Sequence, residues 1–214
     1  RTSHIVSWLT PAGKITTSVK GALRPKSMFL GQYDHNYTCE IVYYVGARGG
    51  VHALRECSPV DMRCGLRDDF RSLALADYYR SLVGELSPSG PECEQWYELL
   101  ETFLSALPQN GVEKRLAELL SFEMEVLDIV GLKPAISAGS GRFELRGERI
   151  MPVSFEIAEC LKNPRNEKNL QILLDASRVI GVFYKFHVDC SSEIRRTVLS
   201  LILNHKQGSG TNEY

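Results

Sequence analysis

Lys14, Lys20, Arg24 and Lys26 crowd four cations into one short stretch of the chain. Side chains of this type, set along an extended surface, neutralise a phosphate backbone and release its counterions. Arg48 and Arg55 extend the set toward the end of the same region. Tyr33 and Tyr37 follow closely, and aromatic rings beside cations supply the second requirement for holding single strands, a face on which bases stack. Lys14, Lys20, Arg24, Lys26, Arg48 and Arg55 are therefore the candidate nucleic-acid contacts. Tyr33 and Tyr37 are candidate stacking residues, whereas Phe29 reads as a packing residue. The competing reading is a solubilising face, because lysines on an exposed strand also deter edge-to-edge aggregation.

The elements that carry these residues are legible. Ile15, Thr17 and Val19 alternate with Lys14, Thr16, Ser18 and Lys20, the period-2 pattern of a half-buried strand with a wet, basic face. Gly21 ends it, and Pro25 stiffens the basic loop between Arg24 and Lys26. Runs at 5–9, 39–45 and 51–57 give three more strands, the last two joined by the Gly-rich connection 46–50 that carries Arg48. Short antiparallel strands in so small a span suggest a closed barrel. An OB-fold needs five strands and four are present, so the first strand is expected upstream of Arg1 or not at all.

From Leu66 the period changes to that of a helix. Apolar stripes predict helices from about 66 to 86, 92 to 107 and 112 to 130, the last closed by Gly131 and Pro134. A small hairpin at 143–153 around Gly147 follows, then helices near 154–161, 169–186 and 192–203. The expected fold is α+β: an OB-fold domain at 1–60, an all-α domain at 61–206 with a cysteine-free insert near 135–153, and a frayed polar tail at 207–214.

The net charge of −1 hides an uneven distribution: +4 over residues 1–60, −8 over 61–130 and +3 over 131–214. A basic first part joined to an acidic middle suggests one nucleic-acid surface and one protein-facing surface. The acids Glu92, Glu94, Glu98 and Glu101 read mainly as a solvated helix face. No apolar run is long enough to span a bilayer, and no secretory signal is visible, so a cytoplasmic protein is expected. The six cysteines include no C-x-x-C pair. They fit neither a zinc site nor a disulfide framework, and read as reduced thiols. No P-loop, G-x-G-x-x-G or H-E-x-x-H occurs. No cofactor, metal or enzymatic activity is expected from the sequence, and an interaction scaffold without nucleic-acid affinity is the alternative.

Several segments taken together resemble one family. Thr10 with Gly13-Lys14-Ile15, then Gly21-Ala22-Leu23-Arg24-Pro25-Lys26-Ser27, Leu54-Arg55-Glu56 and the helix Leu66–Tyr79 occur in the order and spacing of the RecO family of bacterial recombination mediators. Phe122-Glu123 and Gly131-Leu132-Lys133-Pro134 are similar to that family's F-E…G-x-x-P helix end. The resemblance implies an OB-fold packed on helices and a non-enzymatic role. It implies binding of single- and double-stranded DNA, strand annealing, and help in loading the recombinase RecA onto strands coated by the single-strand-binding protein SSB. The implied partners are RecR and the C-terminal tail of SSB. The chain departs from the family pattern where many relatives carry a four-cysteine zinc module: residues 135–141 contain no cysteine.

Overall fold

The structure, a computed structural model, describes residues 2–46, 50–107, 111–136, 142–145, 149–188 and 192–204. The chain divides into two compact units: residues 1–68 with 79–106, and residues 69–78 with 107–214.

The first unit is built on a four-stranded sheet of β1 (His4–Thr10), β2 (Gly13–Val19), β3 (Thr38–Tyr44) and β4 (Val51–Asp61). The strands run in the order β1-β2-β4-β3, with β1/β2 and β3/β4 antiparallel and β2/β4 parallel. Val19, Ala22, Phe29, Leu54 and Cys57 form its buried core, and Trp8, Tyr33 and Ile41 pack partly buried against them. Inside the sheet, Trp8 Nε1 donates to Thr17 Oγ1 at 2.8 Å. This satisfies the hydroxyl of a fully buried threonine, as burial of a polar group requires.

The expected closed barrel is not what these strands form. Among the described residues the sheet is open, with β1 and β3 at its two edges and no strand bridging them. Strand β4 is also longer than the sequence suggests, running through Pro59 to Asp61. Proline normally ends a strand because it lacks the ladder donor. Here the pairing of β4 with β2 covers only Val51–Ala53, so Pro59 faces β3 alone, at a register shift opposite Cys39.

The helices follow their stripes closely. They are α1 (Phe70–Leu86), α2 (Glu94–Ala106), α3 (Val112–Ile129), α4 (Phe155–Lys162), α5 (Leu170–His187) and α6 (Ser192–Leu203). Ser154 and Asn169 cap α4 and α5 by accepting from the amides of Ile157 and Gln171. Helix α3 ends in a Schellman motif: Leu132 N donates to Leu127 O at 2.8 Å and Gly131 N to Asp128 O at 2.9 Å. That motif needs the left-handed φ of +68° at Gly131, which only glycine adopts without cost. The hairpin expected near 143–153 is present as β6 (Arg142–Leu145) paired with β7 (Arg149–Pro152). A two-residue strand, β5 (Ala135–Ile136), adds to β6; Gly147 lies outside the described residues.

Helix α3 is the axis of the second unit. Leu116, Leu119, Leu120, Phe122, Val126 and Leu127 are fully buried, and α3 packs on α4, α5 and α6. Each such side chain contributes roughly 1.5–3 kcal/mol by leaving water.

The start of α1 carries a pH-dependent element. Asp69 is its N-cap: the carboxylate accepts from Ser72 N at 3.0 Å, Ser72 Oγ at 2.7 Å and Arg115 at 2.6 Å. Burial alone would raise its pKa, but the Ser72 hydrogen bonds and the Arg115 charge outweigh it and hold the carboxyl below its usual value. A depressed folded-state pKa contributes stability that is complete above the unfolded value and is lost as pH falls through the folded one. Asp69→Asn is therefore expected to cost about 1–2 kcal/mol at neutral pH. It should also flatten the loss of stability between roughly pH 5 and pH 2. Chemical denaturation of both proteins across that range measures this; parallel profiles would refute it.

Candidate nucleic-acid interface

The six candidate cations are employed in different ways. Lys20, Arg24 and Lys26 are exposed. They lie in the segment between β2 and Tyr33, which contains no acidic residue. Arg55 is exposed on β4, but it pairs with Glu56 at 3.1 Å and its guanidinium sits 5.7 Å from the Tyr44 ring centroid. Arg48 lies outside the described residues.

Lys14 does something the alternation pattern does not show. Its ammonium donates to Gly84 O at 2.8 Å and Ser87 O at 2.6 Å, at the C-terminal end of α1. A cation there meets the negative end of the helix dipole and satisfies carbonyls that have no partner within the helix. The β2 face expected to be wet is accordingly half-buried at Lys14, Thr16 and Ser18.

The two tyrosines are half-buried and already partnered. Tyr33 packs edge-on to Trp8 at 6.0 Å, and its hydroxyl lies 2.8 Å from His4 Nδ1. Burial, and then the neighbouring Cys57, raise the pKa of that hydroxyl. Tyr37 lies under the Arg67 guanidinium, 5.1 Å from the ring centroid, and accepts from Arg67 at 3.1 Å. Arg67 in turn pairs with Asp34 at 2.8 Å. Phe29 is buried in the sheet's core cluster, as its packing role requires.

The structure also assembles residues that the linear pattern did not single out. A cleft of about 740 Å³ in the first unit is lined by all of β1, by Thr38, Cys39 and Ile41 of β3, and by Tyr33, Tyr37, Arg63, Arg80 and Tyr97. Both open edges of the sheet thus face one cavity. Arg63 is buried beside it, donating to Asn36 O at 2.7 Å and to Glu101 at 2.8 Å. Thr38 Oγ1 donates to the same Glu101 carboxylate at 2.6 Å. Glu101 therefore serves the interior of this unit, while Glu92, Glu94 and Glu98 remain exposed. No sequence signal separates Glu101 from its neighbours on the helix, because its partners come from distant segments.

Among the described residues, no group of three or more His, Cys, Asp or Glu side chains is placed to hold a metal ion. Cys160 is buried, and its thiol is pushed up to about 12 by burial and then by Glu167. Among the same residues, no helix is long and apolar enough to cross a membrane.

Fold and surface together define an α+β protein in which a small open sheet presents a basic loop and a helical unit is built around one buried helix. Residues 67–170 match the family model described as "Recombination protein O C terminal". Three curated relatives, each called DNA repair protein RecO, match parts of the chain. The one from Pelobacter propionicus is 30% identical over 96 residues, covering 44% of this chain and 37% of the relative. The one from Acetivibrio thermocellus is 24% identical over 159 residues, covering 72% and 61%. The one from Geobacter metallireducens is 29% identical over 121 residues, covering 56% and 48%. The chain thus spans less than two thirds of the length of each of these relatives. The family match and the three relatives agree, and together they support the RecO family.

Proposed function

We propose that this chain is a DNA-binding recombination mediator of DNA repair. In this reading it binds single- and double-stranded DNA, anneals complementary strands, and helps load RecA onto strands coated by SSB. RecR and the C-terminal tail of SSB are its partners, and it turns over no substrate of its own. The observation that carries the reading is the acid-free segment with Lys20, Arg24 and Lys26 exposed on the sheet-bearing unit. Cations without neighbouring acids keep their full attraction for phosphate. The support for the RecO family makes DNA the anion of choice.

The strand order supports an OB-fold as the architecture behind this surface. Removing the first strand from a five-stranded OB barrel leaves the order β1-β2-β4-β3 with β2 and β4 parallel, as found here. The strand that closes such a barrel would pair with β1 on one side and β3 on the other, across the cleft that both line.

A second reading, a protein-interaction scaffold without DNA affinity, is favoured by the exposure of Val42 and Tyr44 on β3 and Val51 on β4. The test is fluorescence anisotropy with labelled single- and double-stranded DNA at rising salt, together with annealing of complementary labelled strands. The mediator reading expects affinity that falls steeply with salt, and accelerated annealing. No affinity at low salt would leave the scaffold reading in its place.

A further inference from the structure

The loop that carries the cations also carries an apolar surface. Successive turns fold it: Arg24 N donates to Gly21 O at 3.0 Å, Ser27 N to Arg24 O at 2.9 Å, Leu30 N to Ser27 O at 3.3 Å and Gln32 N to Phe29 O at 3.2 Å. Ala22 and Phe29 anchor it in the core of the sheet. Beside these anchors, Leu23, Met28 and Leu30 are 58%, 67% and 62% exposed. Three large apolar side chains are thus exposed on the same short, turn-stiffened loop as the cations. Among the described residues, Lys20, Arg24 and Lys26 form no ion pair that would tie them elsewhere. A ligand that engaged both features would offer anions to the cations and an apolar face within reach of them.

We propose that Leu23, Met28 and Leu30 wedge against bases where DNA stacking is already interrupted, at a junction of single and double strand, while Arg24 and Lys26 hold the flanking phosphates. The inference rests on the DNA-binding reading above and deepens it. Apolar side chains inserted at a base step must pay for unstacking. At a junction the stack already ends, so that cost is small and the apolar contact is gained in full.

The experiment compares three labelled DNAs of equal phosphate count: a single strand, a blunt duplex and a duplex with a single-stranded extension. Wild type should bind the junction about tenfold more tightly than the other two, the scale of burying one such side chain. The variant Leu23→Ser/Met28→Ser/Leu30→Ser should bring the three affinities together while keeping the salt dependence of wild type. Met28→Ser alone should give an intermediate preference. Because all three side chains are exposed, the thermal midpoint should stay unchanged. A triple variant that keeps the junction preference overturns the proposal, as does a wild type that binds all three DNAs equally; both leave the DNA-binding reading intact. A wild type that binds no DNA overturns that reading itself. Binding to phosphatidylglycerol vesicles that depends on the three apolar residues, without junction preference, overturns the proposal in favour of a membrane-facing loop.

Discussion

Arg195→Ala is expected to destabilise the protein by about 3–5 kcal/mol, the cost of leaving one member of a buried ion pair alone. Glu123 is 0% exposed and Arg195 8%. The guanidinium donates to the Glu123 carboxylate from Nε at 2.7 Å and from a terminal nitrogen at 2.9 Å. The same terminal nitrogen reaches Ser177 O at 2.9 Å. Tyr78 OH donates to the carboxylate at 2.7 Å, and Tyr184 OH to the Glu123 backbone carbonyl at 2.9 Å. Burial would depress the Arg195 pKa, but the Glu123 charge and hydrogen bonds outweigh it and raise it. Burial and then the Glu123 charge push the Tyr78 hydroxyl well above its ordinary value, so it stays a donor. Without Arg195, the carboxylate in the centre of the helical unit keeps, among the described residues, only Tyr78 as a donor. Gly181 belongs to the same arrangement, because a Cβ there would lie 2.6 Å from the guanidinium. The variant Glu123→Gln/Arg195→Met should recover part of the loss, since no lone charge is then buried. Urea unfolding of the three proteins measures this; a cost below about 1 kcal/mol for Arg195→Ala would show that the pair is not a stability determinant.

This network shows where sequence reasoning runs out. The stripe Leu116, Leu119, Leu120, Val126 and Leu127 fixes α3 as a buried helix because apolar period reports burial directly. Glu123 sits inside that helix, yet nothing local reveals that it is buried. Its partners lie 45 and 72 positions away, and long-range pairing leaves no periodic trace. The same holds for the site. Alternation around Lys14 is real, but where its ammonium points depends on α1, some 70 residues later. Tyr33 and Tyr37 read as stacking residues because ring and charge are adjacent in sequence, whereas His4, Trp8 and Arg67 engage both. By contrast, that a turn-rich loop follows Gly21 was legible, since glycine and proline are local signals. The open sheet was half legible: four strands are visible as alternation, whereas closure depends on pairing that no strand carries by itself.

The second large effect concerns that loop. Arg24→Ala/Lys26→Ala should weaken binding to all DNA sequences alike, because phosphate contacts position a strand without reading it. Stability should hardly change, since both side chains are exposed. Two controls separate this from a general loss of charge. Lys14→Ala should instead cost about 1–2 kcal/mol of stability, because it strips charge-assisted hydrogen bonds from the end of α1. Glu94→Ala/Glu98→Ala should leave DNA affinity unchanged or slightly raised, because both acids are exposed on α2.

The most direct measurement is single-strand DNA affinity across a salt series for wild type and the Arg24→Ala/Lys26→Ala variant. If both side chains contact phosphate, the slope of log affinity against log salt should flatten by about 1.4, twice the single-strand coefficient of about 0.7 per contact. A variant with wild-type affinity and an unchanged slope would contradict the assignment of this loop as the DNA surface.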